Sequence, residues 1–192
     1  MMLKKAFFRK LQKEYETYEA ERREVIKVAG DALARSKQAI FAFHRDDRPA
    51  GERLLGEART FQQMLKARFA RTPGLVWEGS YRAMLEEYVE AMLYGAFLRG
   101  EVVDAIDAPG MDADAYLGGL ADFTGELVRR AVTEATRHNV AEVHRCHATV
   151  TAVVAELVQI NIVGPLRPKY DQTKTNLRKL EEILYDLSLR GR

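Results

Sequence analysis

The chain has 192 residues, with 30 Lys and Arg against 28 Asp and Glu, one cysteine, five prolines and 47% apolar residues. This suits one domain, residues 1–192, with a sizeable core, and excludes a disordered or collagen-like chain. No stretch approaches the roughly 18 uninterrupted apolar residues of a transmembrane helix, the start MMLKKAFFRK lacks the apolar core of a secretory signal, and the lone Cys146 points to a reducing, cytoplasmic setting.

Proline and glycine divide the chain into helical segments. Leu3 to about His44 has no proline and one glycine, and predicts one very long helix. At 1.5 Å per residue such a helix spans ~60 Å, more than a globule of this size is wide, so assembly with further copies is expected. Asp46-Asp47-Arg48-Pro49 predicts a turn. Gly51 to Arg71 follows as a second helix, broken by Thr72-Pro73-Gly74. Trp77 to Leu98 predicts a third, closed by Gly100, and Asp112 or Asp114 caps a fourth running to about His138. Ala141 to Val163 is rich in β-branched residues, but Val150, Val153, Val154 and Leu157 keep helical spacing. After Gly164-Pro165, a last helix runs from Lys169 to about Leu189, with Leu177, Leu180, Ile183, Leu184 and Leu187 on one stripe. The expectation is an all-α bundle.

Charge is unevenly spread. Met1 to Arg45 holds 11 basic and 6 acidic residues, Glu86 to Glu126 holds 10 acidic residues and the single base Arg99, and Arg167 to Arg192 holds 7 basic and 4 acidic residues. Two basic ends around an acidic middle suit divalent cations beside a polyanion; ordinary solvated helix faces give the same pattern.

In the third helix Glu87 and Glu90 stand ~60° apart and converge on one patch. In the fourth, Asp122 and Glu126 share a side with Ala115, Gly118, Gly119 and Gly125. A helical glycine costs ~1 kcal/mol relative to Ala, a cost that close approach of a helix or ligand offsets and a solvated face does not. Packed side by side, the two helices gather four carboxylates, an all-oxygen set suited to Mg²⁺ or Mn²⁺ and to phosphodiester hydrolysis. The same spacings also occur on exposed acidic faces. Arg129, one turn beyond Glu126, and Arg82 are candidate phosphate contacts. A salt bridge to Glu126 is the plainer role for Arg129. His138, His144, Cys146 and His147 allow a weaker zinc alternative. His44 is expected to cap the negative end of the first helix.

Several stretches carry a resemblance. Tyr170-Asp171 and Leu177 to Gly191 resemble the C-terminal signature of the translin family, and Ser36 to Arg45 is similar to the end of that family's long first helix. Glu87-Tyr88-Val89-Glu90-Ala91 and Ala121-Asp122-Phe123-Thr124-Gly125-Glu126-Leu127 resemble the translin-associated factor X branch. The resemblance implies an all-α protomer of about six to seven helices that forms closed oligomers, here a homo-oligomer of a compact prokaryotic type. It implies a Mg²⁺-dependent endoribonuclease acting on single-stranded RNA, with catalytic and metal-holding acids at Glu87, Glu90, Asp122 and Glu126. The alternative it leaves is a translin-like shell that binds single-stranded RNA or DNA without cutting.

Overall fold

A computed structural model describes residues 4–102 and 105–190; Leu3 and Gly191 lie outside the described residues. Six α-helices follow in chain order: α1 (Lys5–His44), α2 (Arg48–Arg71), α3 (Gly79–Arg99), α4 (Ala113–Thr136), α5 (Val140–Val158) and α6 (Arg167–Arg190). Two short 3-10 turns, Pro73–Trp77 and Gly164–Leu166, join them, and no strand occurs among the described residues. No described helix is long and apolar enough to cross a membrane.

The helix ends depart from the sequence expectation where local chemistry allows. α2 begins three residues before Gly51 because the Asp47 carboxylate accepts from the Ala50 amide at 3.2 Å, and Pro49 sits in the first turn, where a missing N–H is harmless. α3 begins at Gly79 rather than Trp77, the preceding residues being wound into the 3-10 turn. Asp112 caps α4 as expected, accepting from Ala115 N at 2.9 Å. α5 stops at Val158, five residues short of the expected Val163; the chain then leaves the helix, burying Ile162 and turning at Gly164 with φ +65°.

α1 packs on α2 and α3, α3 on α4, and α4 on α5 and α6. α3 is enclosed on nearly all sides: from Tyr88 to Leu98 every residue except Met92 is buried. α1 is the opposite at its start. Its buried residues begin at Val25, while Phe7, Phe8, Leu11, Tyr15 and Tyr18 are exposed. Residues 5–20 thus extend roughly 24 Å beyond the core. At the other end of α1, Phe43 is 1% exposed and fits a notch made by two glycines; a Cβ would stand 2.2 Å from its ring at Gly51 and 3.1 Å at Gly95.

The seam between α3 and α4 is equally dependent on glycine. A Cβ at Gly119 would stand 2.4 Å from the Glu86 carbonyl oxygen and 2.6 Å from Val89 Cβ, and one at Gly118 would stand 2.8 Å from Glu86 Cδ. Gly125 corrects the sequence expectation, because a Cβ there would meet Asn176 at 3.7 Å, an ordinary contact. Gly119→Ala is therefore expected to destabilise the fold by about 1–3 kcal/mol through overpacking against backbone. Gly30→Ala, on α1 with no atom within 4 Å of the added Cβ, is expected to stabilise it by up to about 1 kcal/mol. Urea denaturation of the two variants beside the parent checks both signs.

Candidate active site

The α3–α4 seam carries all four acids nominated by spacing. Glu87 and Glu90 come from α3, and Asp122 and Glu126 come from α4. Glu90 is 8% exposed. Its carboxyl is pushed up to about 8, first by burial and then by repulsion from Glu87, Glu126 and Asp122, with Lys169 opposing. Glu87 is also raised, by burial foremost, against the pull of Lys37; Asp122 and Glu126 add to the rise. The four carboxylates thus share one electrostatic neighbourhood, as their helical spacing led us to expect.

Three cationic or hydrogen-bonding side chains enter the cluster from distant parts of the chain. Lys37 Nζ stands 3.8 Å from Glu87 Oε2. Lys169, on the first turn of α6, donates to Glu86 Oε2 at 2.6 Å and to Asp122 Oδ2. Burial pulls its ammonium pKa down, but the bonds to Asp122 and Glu86 outweigh that and leave it raised. His44 is not a solvent-facing cap. Its Nε2 hydrogen-bonds Glu126 Oε2, and its Nδ1 lies 3.0 Å from the Tyr94 hydroxyl.

With these partners in place, no three His, Cys, Asp or Glu side chains among the described residues form a ready-made metal cage. Lys169 and His44 each take up an oxygen of an α4 acid. Glu90 differs from its neighbours: among the described residues it has neither a hydrogen bond nor a salt bridge. The donors that an entering cation would meet are the carboxylate oxygens of Glu87, Glu90, Asp122 and Glu126.

Arg129 is half-exposed, 3.8 Å from Glu126. Arg82 is engaged elsewhere: its guanidinium donates to Asp112 at 2.5 Å and to the Gly110 carbonyl at 3.1 Å, and lies 5.1 Å from the Trp77 ring centroid. Those contacts pin the loop before α4. The zinc alternative also separates in space. Cys146 is fully buried, with burial pushing its thiol up to about 12, while His144 is exposed.

Sequence reasoning missed one surface beside the cluster. Arg35, Gln38 and Phe41 follow one another at helical spacing on α1, Arg45 lies just past its end, and with Lys37 and Arg53 they line a groove against α2. Phe41 is 50% exposed, with the Arg45 guanidinium 4.6 Å from its ring centroid. Lys37 connects this groove to Glu87.

Fold and site together define an all-α protein whose two central helices enclose a cluster of acids. The chain belongs to the translin family, whose sequence pattern matches residues 20–191. It is 26% identical to translin of Gallus gallus over 151 residues, which cover 71% of this chain and 66% of that protein, slightly under two thirds of the relative's length. It is also 26% identical to translin-associated protein X of Rattus norvegicus over 227 residues, covering 96% of this chain and 78% of that protein. A solved structure of AfC3PO in complex with duplex RNA shares the fold with a TM-score of 0.86 at 22% identity, covering 95% of this chain and 97% of that one.

The raised Glu90 carboxyl has a consequence for stability. Its ordinary pKa is 4.5 and its folded value is about 8, so the folded state holds a proton that the unfolded state releases. Stability from this group is fully present below the unfolded value and is lost as pH rises through the folded one. Between these limits the loss reaches at most about 1.4 kcal/mol per pH unit. Glu90→Gln, neutral at every pH, is expected to remove that slope. Urea denaturation of parent and variant across this range, without divalent ions, measures it.

Proposed function

We propose that this chain is a subunit of a cytoplasmic, homo-oligomeric, Mg²⁺-dependent endoribonuclease acting on single-stranded RNA, with Mn²⁺ as a substitute ion. The carrying observation is Glu90: a buried carboxyl without a polar partner among the described residues, beside Glu87 on its own helix and Asp122 and Glu126 across a seam built from glycines. At neutral pH such a group calls for a proton or an added cation. The four-carboxylate donor set is all oxygen, which suits a hard divalent ion.

When bound, Mg²⁺ would neutralise phosphate charge and lower the pKa of a water molecule. Glu87, Glu90, Asp122 and Glu126 would hold the ion, directly or through water. One of the four would orient or deprotonate the attacking water. Lys169, paired with Asp122 in this structure, would yield that carboxylate to a cation held there. Arg129 beside Glu126 reaches toward a phosphate. The α1–α2 groove offers a strand phosphate contacts through Arg35, Lys37 and Arg45 and a stacking face on Phe41.

The likeness to translin-associated protein X and to AfC3PO, solved with duplex RNA, supports an oligomer that binds nucleic acid. The exposed apolar stripe on the overhanging start of α1 supports assembly from within this chain. A second reading, a nucleic-acid-binding shell that does not cut, is favoured by one observation: Lys169 and His44 already satisfy Asp122 and Glu126 without metal.

Incubation of the protein with end-labelled single-stranded RNA separates the two. The parent is expected to cleave only with Mg²⁺, and Glu87→Ala/Glu90→Ala to be at least about 100-fold slower with an unchanged circular dichroism spectrum. If neither protein cuts and both retard the RNA on a gel, the shell reading replaces the nuclease. For assembly, light scattering is expected to give a multiple of the 21.8 kDa chain mass, and Phe8→Glu/Tyr15→Glu to lower it.

A further inference from the structure

We infer that His44 and Tyr94 are positioning residues for Glu126: they grip one carboxylate oxygen through a chain of hydrogen bonds and leave the other free to meet the cation. This rests on the reading of Glu126 as a metal-holding acid.

The argument begins with where His44 sits. It is the last residue of α1, where an exposed side chain is the usual outcome, yet its side chain is only 8% exposed. Its neighbour Phe43, seated in the Gly51–Gly95 notch, fixes this end of the helix against α3. The His44 ring lies 4.7 Å from that of Tyr94, which is itself fully buried on α3. Nδ1 is 3.0 Å from the Tyr94 hydroxyl and Nε2 meets Glu126 Oε2, so both ring nitrogens are committed.

The direction at the acid follows from its chemistry. An ionised carboxylate only accepts, so His44 Nε2 donates to Glu126 Oε2, while the Tyr94 hydroxyl holds the ring from its other side at Nδ1. Arg130 donates to Glu142 at 2.6 Å and to Asp46 at 3.3 Å. Asp46 lies two residues beyond His44, so this anchor and the histidine are set by the same turn of chain. Glu126 Oε2 is therefore a fixed acceptor, and Oε1 has no hydrogen bond or ion pair among the described residues. Partners of this kind orient metal-holding groups, and their loss typically weakens metal binding or turnover about 10–100-fold.

The test measures Mn²⁺ affinity by electron paramagnetic resonance and RNA cleavage as separate kcat and KM, using His44→Ala, His44→Gln, Tyr94→Phe and Glu126→Ala in the full chain. His44→Ala is expected to weaken Mn²⁺ binding and lower kcat by about 10–100-fold while KM for RNA stays near the parent value. His44→Gln, whose side-chain amide can donate to Glu126, is expected to recover most of both losses. Tyr94→Phe is expected to show a smaller loss of the same kind. If Glu126→Ala loses Mn²⁺ but folded His44→Ala matches the parent, the positioning role is overturned and the metal site stands. If His44→Ala and His44→Gln lose thermal stability alone, with Mn²⁺ affinity unchanged, His44 is a structural histidine and the inference is overturned. If the parent does not bind Mn²⁺, the metal-site reading fails and this inference falls with it.

Discussion

Helices packed through ordinary side chains keep their axes about 8–10 Å apart, and α3 meets α4 where α4 has no side chain at two successive positions. Gly118 and Gly119 let the Glu86 backbone and Val89 approach to distances that a Cβ would forbid. The acids on the two helices are consequently drawn to one seam, where Glu90 is buried and Glu87, Asp122 and Glu126 are partly shielded from water. Burial then sets their chemistry. At Glu90, burial foremost and then repulsion from the neighbouring acids hold the carboxyl protonated at neutral pH.

The molecule contains two clusters of acids, and their contrast is informative. Around Arg130, the acids Asp46 and Glu142 are matched by Arg130, Arg137 and Arg145, with contacts of 2.6–3.3 Å. Burial raises both carboxyls, but the guanidinium bonds outweigh it and leave their pKa values lowered. That cluster is saturated and ties the end of α1 to α4 and α5. Around Glu90 the balance is reversed, because the cations supplied by the chain reach Glu86, Glu87 and Asp122 but leave the most buried acid without an ion-pair partner among the described residues. An unsaturated cluster of this kind destabilises the empty protein, which is what distinguishes a site from a structural ion-pair network. His44 lies between the two: Asp46 of the saturated network is two residues further along the chain, and the His44 ring bonds Glu126 of the unsaturated one.

Much of this was legible in the chain. Helical periodicity and the breaks at Pro and Gly placed six helices, and the length of the first announced its overhang. Acid pairs at three- and four-residue spacing, beside glycines in a helix interior, marked the seam and its four carboxylates. Those are relationships within a turn or two of one helix. The rest depends on contacts between distant segments, which no local pattern encodes. Lys169 is 83 residues from Glu86 and 47 from Asp122, and His44 is 82 residues from Glu126. The role of His44 as a helix cap was a sound local inference, overridden because Phe43 and the two glycines facing it press this helix end into the interior. Arg82 likewise donates to a loop 28 to 30 residues further on, a contact that no local pattern encodes.

Cys146, the chain's single thiol, lies fully buried on α5 with its pKa pushed up to about 12. Thiolate, the species that reacts with alkylating reagents and oxidants, is therefore scarce in the folded protein and sterically out of reach. Reaction at this one sulfur requires α5 to come away from the core. The protein thus carries its own clock for opening: the rate at which a small electrophile labels Cys146 reports how often the helices behind the acidic seam part, without any introduced probe.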